Sequence, residues 1–147
     1  MELDIQIQKL RPEAKCPTRA TAGSAGLDLY ACLSEPVTIE ARQRVMIPTG
    51  IAAALPSPEY ALFLFARSGL ATKFGITLSN TVGVVDSDYR GEIKASLCNL
   101  SDKSYTVEPF ERIAQMVVMP VVCANLIEVP ALPETERDSG GFGSTGK

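Results

Sequence analysis

The side chains of this sequence that could do chemistry are carboxylates, hydroxyls, amides, arginines and lysines, because the sequence contains no histidine. A histidine-activated nucleophile and a histidine metal site are therefore excluded. The four cysteines show neither CxxC spacing nor the density of a disulfide framework, a pattern typical of small apolar cysteines in a reducing compartment. Catalysis would have to rest on oxygen and guanidinium groups, helped by a hard cation that prefers oxygen ligands.

The segment NTVGVVDSDYRG, residues 80–91, combines an acidic turn with a tyrosine and an arginine. Its apolar run followed by Asp86-Ser87-Asp88 predicts a hairpin whose return strand begins at Glu92. Gly83 lies inside the first strand, where a glycine often marks the close approach of a ligand or another backbone. The two aspartates could be simple turn formers or, with Tyr89 beside them, part of a binding site. The segment alone leaves both interpretations open.

The residues Arg67-Ser68-Gly69 follow the apolar run Tyr60–Phe65, at the point where a helical turn over Ser68–Lys73 is predicted. A guanidinium, a hydroxyl and unpaired amides at the start of a helix can bind an anion. The alternative is a surface arginine with Ser68 as the N-cap of the helix. Position alone favours this alternative.

Two further polar residues stand among apolar neighbours. Gln115 lies near the start of an apolar strand, where it could bind a ligand or serve as a hydrogen-bonded structural residue. Asp28 lies between Leu27 and Leu29. A buried carboxylate is costly unless it is paired or near a metal, whereas one on an edge strand would be unremarkable.

The last residues, PALPETERDSGGFGSTGK at 130–147, lose the apolar pattern and are rich in glycine, serine and charge. Residues 141–147 match the GxxxxGK part of a P-loop, but the Ser/Thr that follows it, the preceding strand and the following helix are lacking. We therefore reject a P-loop NTPase. The default interpretation is a frayed terminus, although its glycine amides could form an anion nest and Arg137 could clamp a phosphate.

The elements that must position these residues are predicted to be short strands. The predicted strands are Leu3–Ile7, Val37–Ile39, Val45–Ile47, Tyr60–Phe65, Ile76–Leu78, Thr81–Val85, Ile93–Leu97, Tyr105–Val107, Ile113–Val122 and Leu126–Val129. Proline, glycine, serine and aspartate separate them, and only residues 68–73 are predicted to be helical. Many short strands at close spacing are typical of an all-β barrel or a double-sheet jelly roll.

The 147 residues are expected to form one domain over residues 1–129, followed by a flexible arm over residues 130–147. The composition is 46% hydrophobic and 21% charged with a net charge of −3, which argues against a disordered protein and against a nucleic-acid or membrane-surface binder. No apolar run approaches the ~20 residues that span a bilayer. The opening residues MELDIQIQKL lack the features of a secretory signal. We therefore expect a cytoplasmic location.

Taken in order, five segments resemble the five-motif signature of trimeric deoxyuridine 5'-triphosphate nucleotidohydrolases (dUTPases). They are AGLDLYA, ARSGLA, NTVGVVDSDYRG, ERIAQM and RDSGGFGSTGK, and the resemblance covers residues 17–147. It implies a distorted jelly-roll β-barrel with one short helix, and a homotrimer that shares its active sites. It also implies hydrolysis of dUTP to dUMP and pyrophosphate, with Mg²⁺, by attack of water on the α-phosphate. Such an enzyme keeps uracil out of DNA and supplies dUMP for thymidylate synthesis.

The resemblance further implies roles for individual residues. Asp86 would activate the attacking water, Asp28 would hold the metal ion through water, and Tyr89 would pack under the deoxyribose. Substrate contacts are implied at Arg67, Ser68, Gly69 and Gln115 for the phosphates, at Asn80, Gly83, Val84, Val85 and Lys94 for the uracil, and at Arg137, Phe142, Gly143 and Ser144 in the closing arm. In that arm, Arg137 would contact the γ-phosphate and Phe142 would stack on the base.

Three residues depart from the family pattern. Ala66 stands where proline is usual, Phe110 where glycine is usual, and Thr81 where a larger apolar residue is common. None of them removes a proposed reacting group. The nearest alternative is a dCTP deaminase on the same fold, but that branch resembles Arg-Ser-Ser instead of Arg-Ser-Gly and uses an added glutamate. A non-catalytic nucleotide-sensing module is the other alternative, and it predicts binding without turnover.

Overall fold

The computed structural model describes residues 3–141, and within that range the chain forms strands and one short helix, α1, at Ser68–Phe74. The strands are β1 (Gln6–Lys9), β2 (Leu27–Tyr30), β3 (Val37–Ile39), β4 (Arg44–Pro48), β5 (Ile51–Ala54), β6 (Tyr60–Phe65), β7 (Ile76–Leu78), β8 (Gly83–Val85), β9 (Lys94–Asn99), β10 (Tyr105–Val107) and β11 (Arg112–Pro120). The predicted all-β class with one short helix is confirmed. No helix in this range is both long enough and apolar enough to cross a bilayer.

The longest strand, β11, organises the sheet that carries the candidate site. It pairs with β2 on one side and β6 on the other, and β8 adds to the far edge of β6, so the order is β2-β11-β6-β8. A second sheet has the order β4-β9-β7, and β1-β5 and β3-β10 form two-stranded pairs. All of these pairings are antiparallel.

One hydrophobic cluster lies between these sheets. Its fully buried members include Leu29, Ile39, Ile47, Leu62, Leu97 and Ile113. Strand β9 alternates, so that Ala95, Leu97 and Asn99 face the core. The buried Asn99 amide donates to the Ile39 carbonyl at 3.0 Å and to the Lys103 carbonyl at 2.7 Å. A buried polar group that is hydrogen-bonded in this way is tolerated in a core.

Sequence periodicity located several elements with their observed bounds. Strands β3, β6, β7 and β10 have the predicted limits. Helix α1 extends one residue beyond the predicted Lys73 and ends where Gly75 adopts a φ of +71°, a conformation that glycine adopts without strain. Strand β5 was not predicted, because its first three residues are all buried and show no polar alternation.

The chain beyond β11 forms neither strand nor helix up to Gly141. The prediction of a strand at Leu126–Val129 is therefore wrong for the single chain, and the predicted Ile113–Val122 strand ends at Pro120. Val122, Leu126 and Ile127 are 92%, 95% and 81% exposed. A strand needs backbone partners on a neighbouring strand, and local periodicity cannot show whether such a partner is within reach.

Candidate active site

A carboxylate shared by two guanidinium groups forms the centre of the candidate site. Asp28 on β2 accepts a hydrogen bond from Arg67 Nε at 2.9 Å and one from an Arg112 terminal nitrogen at 3.1 Å. The Arg67 guanidinium also donates to the Arg112 carbonyl at 3.3 Å. The Asp28 side chain is only 12% exposed. The buried carboxylate is thus paired, and the cluster keeps an excess of positive charge that favours an anionic ligand.

Strand register explains why residues so distant in sequence meet here. Gln115 on β11 lies opposite Asp28 of β2 and opposite Phe65 of β6. Arg67 follows Phe65 by two positions, and Arg112 lies at the start of β11. The central strand therefore places Asp28 on one side of Gln115 and the residues that follow β6 on the other, close enough for the arginine side chains to reach Asp28.

Gln115 itself is part of this junction. Its side-chain amide donates to the Ala66 carbonyl at 3.1 Å, which fixes the backbone just before Arg67. A side chain at Gly26 would place a Cβ 2.6 Å from the Gln115 Oε1, so only glycine leaves room for the amide there. The structural role considered for Gln115 is therefore present, and its amide also lines the pocket beside Asp28.

The start of α1 faces the same pocket. Arg67 occupies the N-cap position, and no side chain among residues 3–141 caps the helix by a hydrogen bond, so the alternative with Ser68 as N-cap is wrong. Ser68 and Gly69 line the pocket, and a Cβ on Gly69 would meet open space. The pocket has a volume of about 200 Å³. Amides at a helix start and two guanidiniums are groups that bind phosphate oxygens.

Behind the arginines lies a second hydrogen-bonded pair. The Tyr105 hydroxyl donates to one carboxylate oxygen of Glu111, and the other oxygen accepts the Glu108 amide at 3.0 Å. Burial, followed by the hydrogen bond to Glu111, raises the pKa of the Tyr105 hydroxyl well above its ordinary value. Glu111 is thereby fixed directly before Arg112.

Arg112 was not singled out from the sequence as a site residue. The only local signal for it is a charged residue at the start of a long apolar strand. The register shift of β11 against β2, between Arg112 and Ala114, is what brings its guanidinium to Asp28. Register shifts of this kind change the direction of side chains next to active sites. They are not visible in a sequence pattern.

The hairpin predicted around residues 80–91 carries a second group of site residues. Gly83 opens β8 opposite Leu64, and a Cβ there would lie 3.0 Å from the Leu64 Cβ and 3.6 Å from the Asn80 amide nitrogen. Thr81, one of the departures from the family pattern, has a φ of +62°, and its hydroxyl donates to the Asn80 carbonyl at 2.6 Å. A β-branched residue rarely adopts this conformation.

Beyond β8 the chain turns at Asp86, whose carbonyl accepts the Tyr89 amide at 3.2 Å. The Tyr89 ring lies against Gly91, where an added Cβ would be only 2.5 Å from the ring carbon that bears the hydroxyl, and its hydroxyl donates to the Glu92 carbonyl at 3.1 Å. Tyr89, Val85 and Lys94 line a second pocket of about 320 Å³. The turn-former interpretation thus holds for Asp86, and its neighbours also form a cavity.

The two pockets lie at different positions along β6. Val85 pairs with Leu62 and Asp86 follows it, whereas Arg67 lies beyond the C-terminal end of the strand. At about 3.3 Å per residue, five residues separate Leu62 from Arg67 by roughly 16 Å along the strand. The structure therefore brings together Asp28, Arg67, Ser68, Gly69 and Gln115, and separately Val85, Tyr89 and Lys94.

Of the arm residues that the structure describes, 130–141, none lines either pocket. Arg137 Nε donates to the Gly140 carbonyl at 2.9 Å, within the arm itself. Phe142, Gly143 and Ser144, which the sequence analysis also named as substrate contacts, lie outside the described residues.

The donor set around Asp28 fits a divalent cation that is held through water. Each carboxylate oxygen accepts one guanidinium N–H and keeps a second acceptor position. Among residues 3–141, no three histidine, cysteine, aspartate or glutamate side chains come together as metal ligands. The inner ligands of such an ion would have to be water and the oxygens of a phosphate ligand, a coordination typical of Mg²⁺.

Comparison with known proteins adds a family and close relatives. The family model described as dUTPase matches residues 12–146. The deoxyuridine 5'-triphosphate nucleotidohydrolase of Ralstonia nicotianae is 49% identical over 147 residues, covering 100% of this chain and 99% of the relative. The enzyme of the same name from Neisseria meningitidis serogroup B is 49% identical over 146 residues, covering 99% of this chain and 97% of the relative.

The fold is also similar to solved structures. The dUTPase of Staphylococcus bacteriophage 80alpha, solved with dUPNHPP, superposes with a TM-score of 0.87 and 27% identity, covering 98% of this chain and 99% of the phage chain. The distorted jelly roll implied by the sequence is therefore confirmed.

Proposed function

The chain belongs to the dUTPase family, and on this premise we propose that it hydrolyses dUTP to dUMP and pyrophosphate by attack of water on the α-phosphate. The observation that carries the proposal is the pocket beside Asp28, which Arg67 and the uncapped start of α1 line, while Arg112 holds the Asp28 carboxylate from outside the lining. Hydrolysis of a phosphate anhydride needs chiefly positioning and charge neutralisation from the protein. In the cell this activity would keep uracil out of DNA and supply dUMP.

We assign the phosphate chain of the substrate to the pocket at the start of α1. Arg67, Ser68, Gly69 and Gln115 supply a guanidinium, a hydroxyl, backbone amides and a side-chain amide to its oxygens. Asp28 orients Arg67 and would hold Mg²⁺ through the water molecules bound to the ion. The bound metal supplies neutralisation of the phosphate charge.

We assign the nucleoside to the hairpin pocket. The β8 backbone at Gly83, Val84 and Val85, with Asn80 beside it and Lys94 on the return strand, offers hydrogen-bond donors and acceptors to a uracil ring. A cytosine would leave those groups wrongly paired, which is a stronger filter than pocket size. The half-exposed Tyr89 ring offers a flat surface to the deoxyribose, where a 2′-hydroxyl would clash.

Asp86 is the proposed general base. It lies at the hairpin turn, directly after Val85, which lines the nucleoside pocket. A carboxylate there can take a proton from a water aligned with the α-phosphorus once it is within hydrogen-bond reach.

The separation of the two pockets supports a homotrimer whose sites are shared between chains. Val85, at the end of β8 in the nucleoside hairpin, and Arg67 of the phosphate pocket lie roughly 16 Å apart along β6 at about 3.3 Å per residue. A neighbouring copy can present its hairpin to the phosphate pocket. The exposed apolar side chains of Val122, Leu126 and Ile127 further indicate that the segment between β11 and the arm is covered by another copy. In the same assembly, Arg137 and Phe142 would close the site over the γ-phosphate and the base.

Pyrophosphate release from dUTP and from the eight common nucleoside triphosphates in Mg²⁺ tests the activity. We expect turnover of dUTP well above that of the others. Ammonia release from dCTP would instead identify a deaminase, and dUTP binding without turnover would identify a non-catalytic module. Either result would overturn the proposal.

The cytoplasmic location expected from the sequence is a separate prediction. Imaging of a tagged chain would test it.

Mixing two inactive variants tests the shared site. Asp86→Asn and Arg67→Ala chains, unfolded together and refolded, would form mixed trimers. Sites in which one chain gives an intact hairpin and another an intact phosphate pocket would regain activity. Each variant refolded alone is the control, and mixtures as inactive as the controls would contradict sharing.

A further inference from the structure

The turn before β11 contains a residue in an unusual backbone conformation. Glu108 to Glu111 form a turn closed by a 3.1 Å hydrogen bond from the Glu111 amide to the Glu108 carbonyl. Pro109 occupies its second position and Phe110 its third, with a φ of +63°. Proline followed by a positive φ is the signature of a type II turn, whose third position favours glycine. Phenylalanine here is strained, so its side chain needs a compensating role.

The Phe110 ring takes part in a cluster with Lys15 and Tyr30. The Lys15 ammonium lies 4.7 Å from the centre of the Phe110 ring and 5.4 Å from the centre of the Tyr30 ring. Both distances are within the range of cation–π attraction. The Tyr30 hydroxyl forms a 2.6 Å hydrogen bond with the Thr18 hydroxyl, which fixes the second ring. The ammonium thus joins the N-terminal segment to the turn.

The backbone connects this cluster to the phosphate pocket. The Phe110 amide donates to the Ala31 carbonyl at 2.8 Å, and the Ala31 amide donates to the Glu111 carbonyl at 2.8 Å. These bonds pin the turn to the end of β2 immediately before the register shift of β11. Arg112 directly follows Glu111, the last residue of this turn, and its guanidinium donates a hydrogen bond to Asp28. A tilt of the turn would therefore move the guanidinium.

We propose that Lys15, Tyr30 and Phe110 form a cation–aromatic clamp that positions Arg112 against Asp28, and so sets how tightly the pocket binds the phosphate chain of the substrate. Phe110 and Lys15 are positioning residues, since neither lines the pocket. The inference rests on the proposed function. The clamp explains why a phenylalanine occupies a position that favours glycine. The contact between its ring and the Lys15 ammonium offsets the backbone strain.

Substitutions at Phe110 distinguish the effect of the aromatic ring from the effect of the backbone conformation. Phe110→Gly removes the ring and gives the turn the residue that its positive φ favours, so the backbone is not further strained. Phe110→Tyr keeps a ring and is the rescue variant, and Lys15→Gln removes the charge. Lys9→Gln, at an exposed lysine on β1, is the matched control.

Steady-state hydrolysis of dUTP in Mg²⁺ and thermal unfolding are measured for each variant. We expect Phe110→Gly and Lys15→Gln to raise KM about tenfold with little change in kcat, the effect of weakening one hydrogen bond to a charged group. The double variant should be no worse than either single variant, because both remove the same clamp. Phe110→Tyr and Lys9→Gln should keep the KM of the original chain.

The outcomes distinguish the clamp from the proposed function. If the unaltered chain does not hydrolyse dUTP, the proposed function fails. If it does, and Phe110→Gly and Lys15→Gln keep its KM, the clamp is wrong. A shifted unfolding temperature with unchanged KM would show a merely structural cluster and also overturn the proposal. Should Phe110→Gly not fold, Lys15→Gln and the rescue variant decide alone.

Discussion

Replacing Asp28 by asparagine tests the centre of the candidate site. Asp28→Asn keeps the shape of the side chain but removes the charge that two guanidiniums share. A hydrogen bond to a charged group contributes about 1.5–3 kcal/mol when it is shielded from solvent. The Arg67 side chain is 27% exposed, so its bond keeps most of that value. The Arg112 side chain is 48% exposed, and screening reduces its bond to about 0.5–1 kcal/mol.

The expected loss of stability is therefore about 2–3 kcal/mol. For a chain of this length each kcal/mol lowers the unfolding midpoint by roughly 2–4 °C, so the midpoint should fall by about 5–10 °C. Circular dichroism at a fixed chain concentration measures the midpoint, since oligomer stability depends on concentration. When dUTP hydrolysis is measured at increasing Mg²⁺ concentrations, the rate of the Asp28→Asn variant should rise less with the metal than the rate of the original chain.

Asp102→Asn is the matched control. Asp102 accepts a shorter hydrogen bond than Asp28 does, 2.7 Å from Arg42, but the Asp102 and Arg42 side chains are 87% and 64% exposed. Exposed ion pairs contribute at most about 1 kcal/mol, so this variant should unfold near the original midpoint. If Asp28→Asn is no less stable than Asp102→Asn and keeps its KM and its metal response, the reasoning about the shared carboxylate is refuted.

Three other changes test separate parts of the site. Asp86→Asn should bind dUTP normally but lose turnover by about 10²–10⁴-fold, as expected for a lost general base; near-normal kcat would remove Asp86 from the mechanism. Deleting residues 137–147 should leave a folded oligomer with poor hydrolysis, because we propose that the arm closes the site and its described residues, 130–141, are largely exposed; an unfolded product in circular dichroism would contradict this. Tyr105→Phe bears on stability at alkaline pH. Because the pKa of Tyr105 is raised in the folded state, the original chain should lose stability as the pH rises above about 10, where the unfolded tyrosine ionises first. The phenylalanine variant should show a shallower decline in urea titrations between pH 9 and 11, and equal slopes would refute the assignment.

Local periodicity predicted two kinds of strand. In the first kind, one face is apolar and the other is polar. In the second kind, turn-forming residues bound a short apolar run. Strands β6 and β10 are of these kinds and have their predicted limits. The alanine-rich β5 was missed, since a strand buried on both faces carries no alternation. The segment at Leu126–Val129 has the apolar character of a strand but pairs with no strand among residues 3–141.

The departures from the family pattern were visible in the sequence, but their consequences were not. Thr81 and Phe110 both adopt positive φ values, +62° and +63°. A one-dimensional pattern records only that a glycine or a larger apolar residue is absent. The contact between the Phe110 ring and Lys15 joins residues 95 positions apart, and no local rule predicts it.

The amino-acid types alone determined which groups this chain can use for catalysis. Without histidine, these groups are carboxylates, guanidiniums and amides, and the metal ion they suit is one that prefers oxygen ligands. Tertiary structure alone decided the partners. Asp28 meets Arg67 and Arg112 because β11 holds β2 and β6 in register, and Asp86 lies apart from them because β8 runs antiparallel to β6. Register is a long-range property of backbone hydrogen bonding, so it appears only once the strands are assembled.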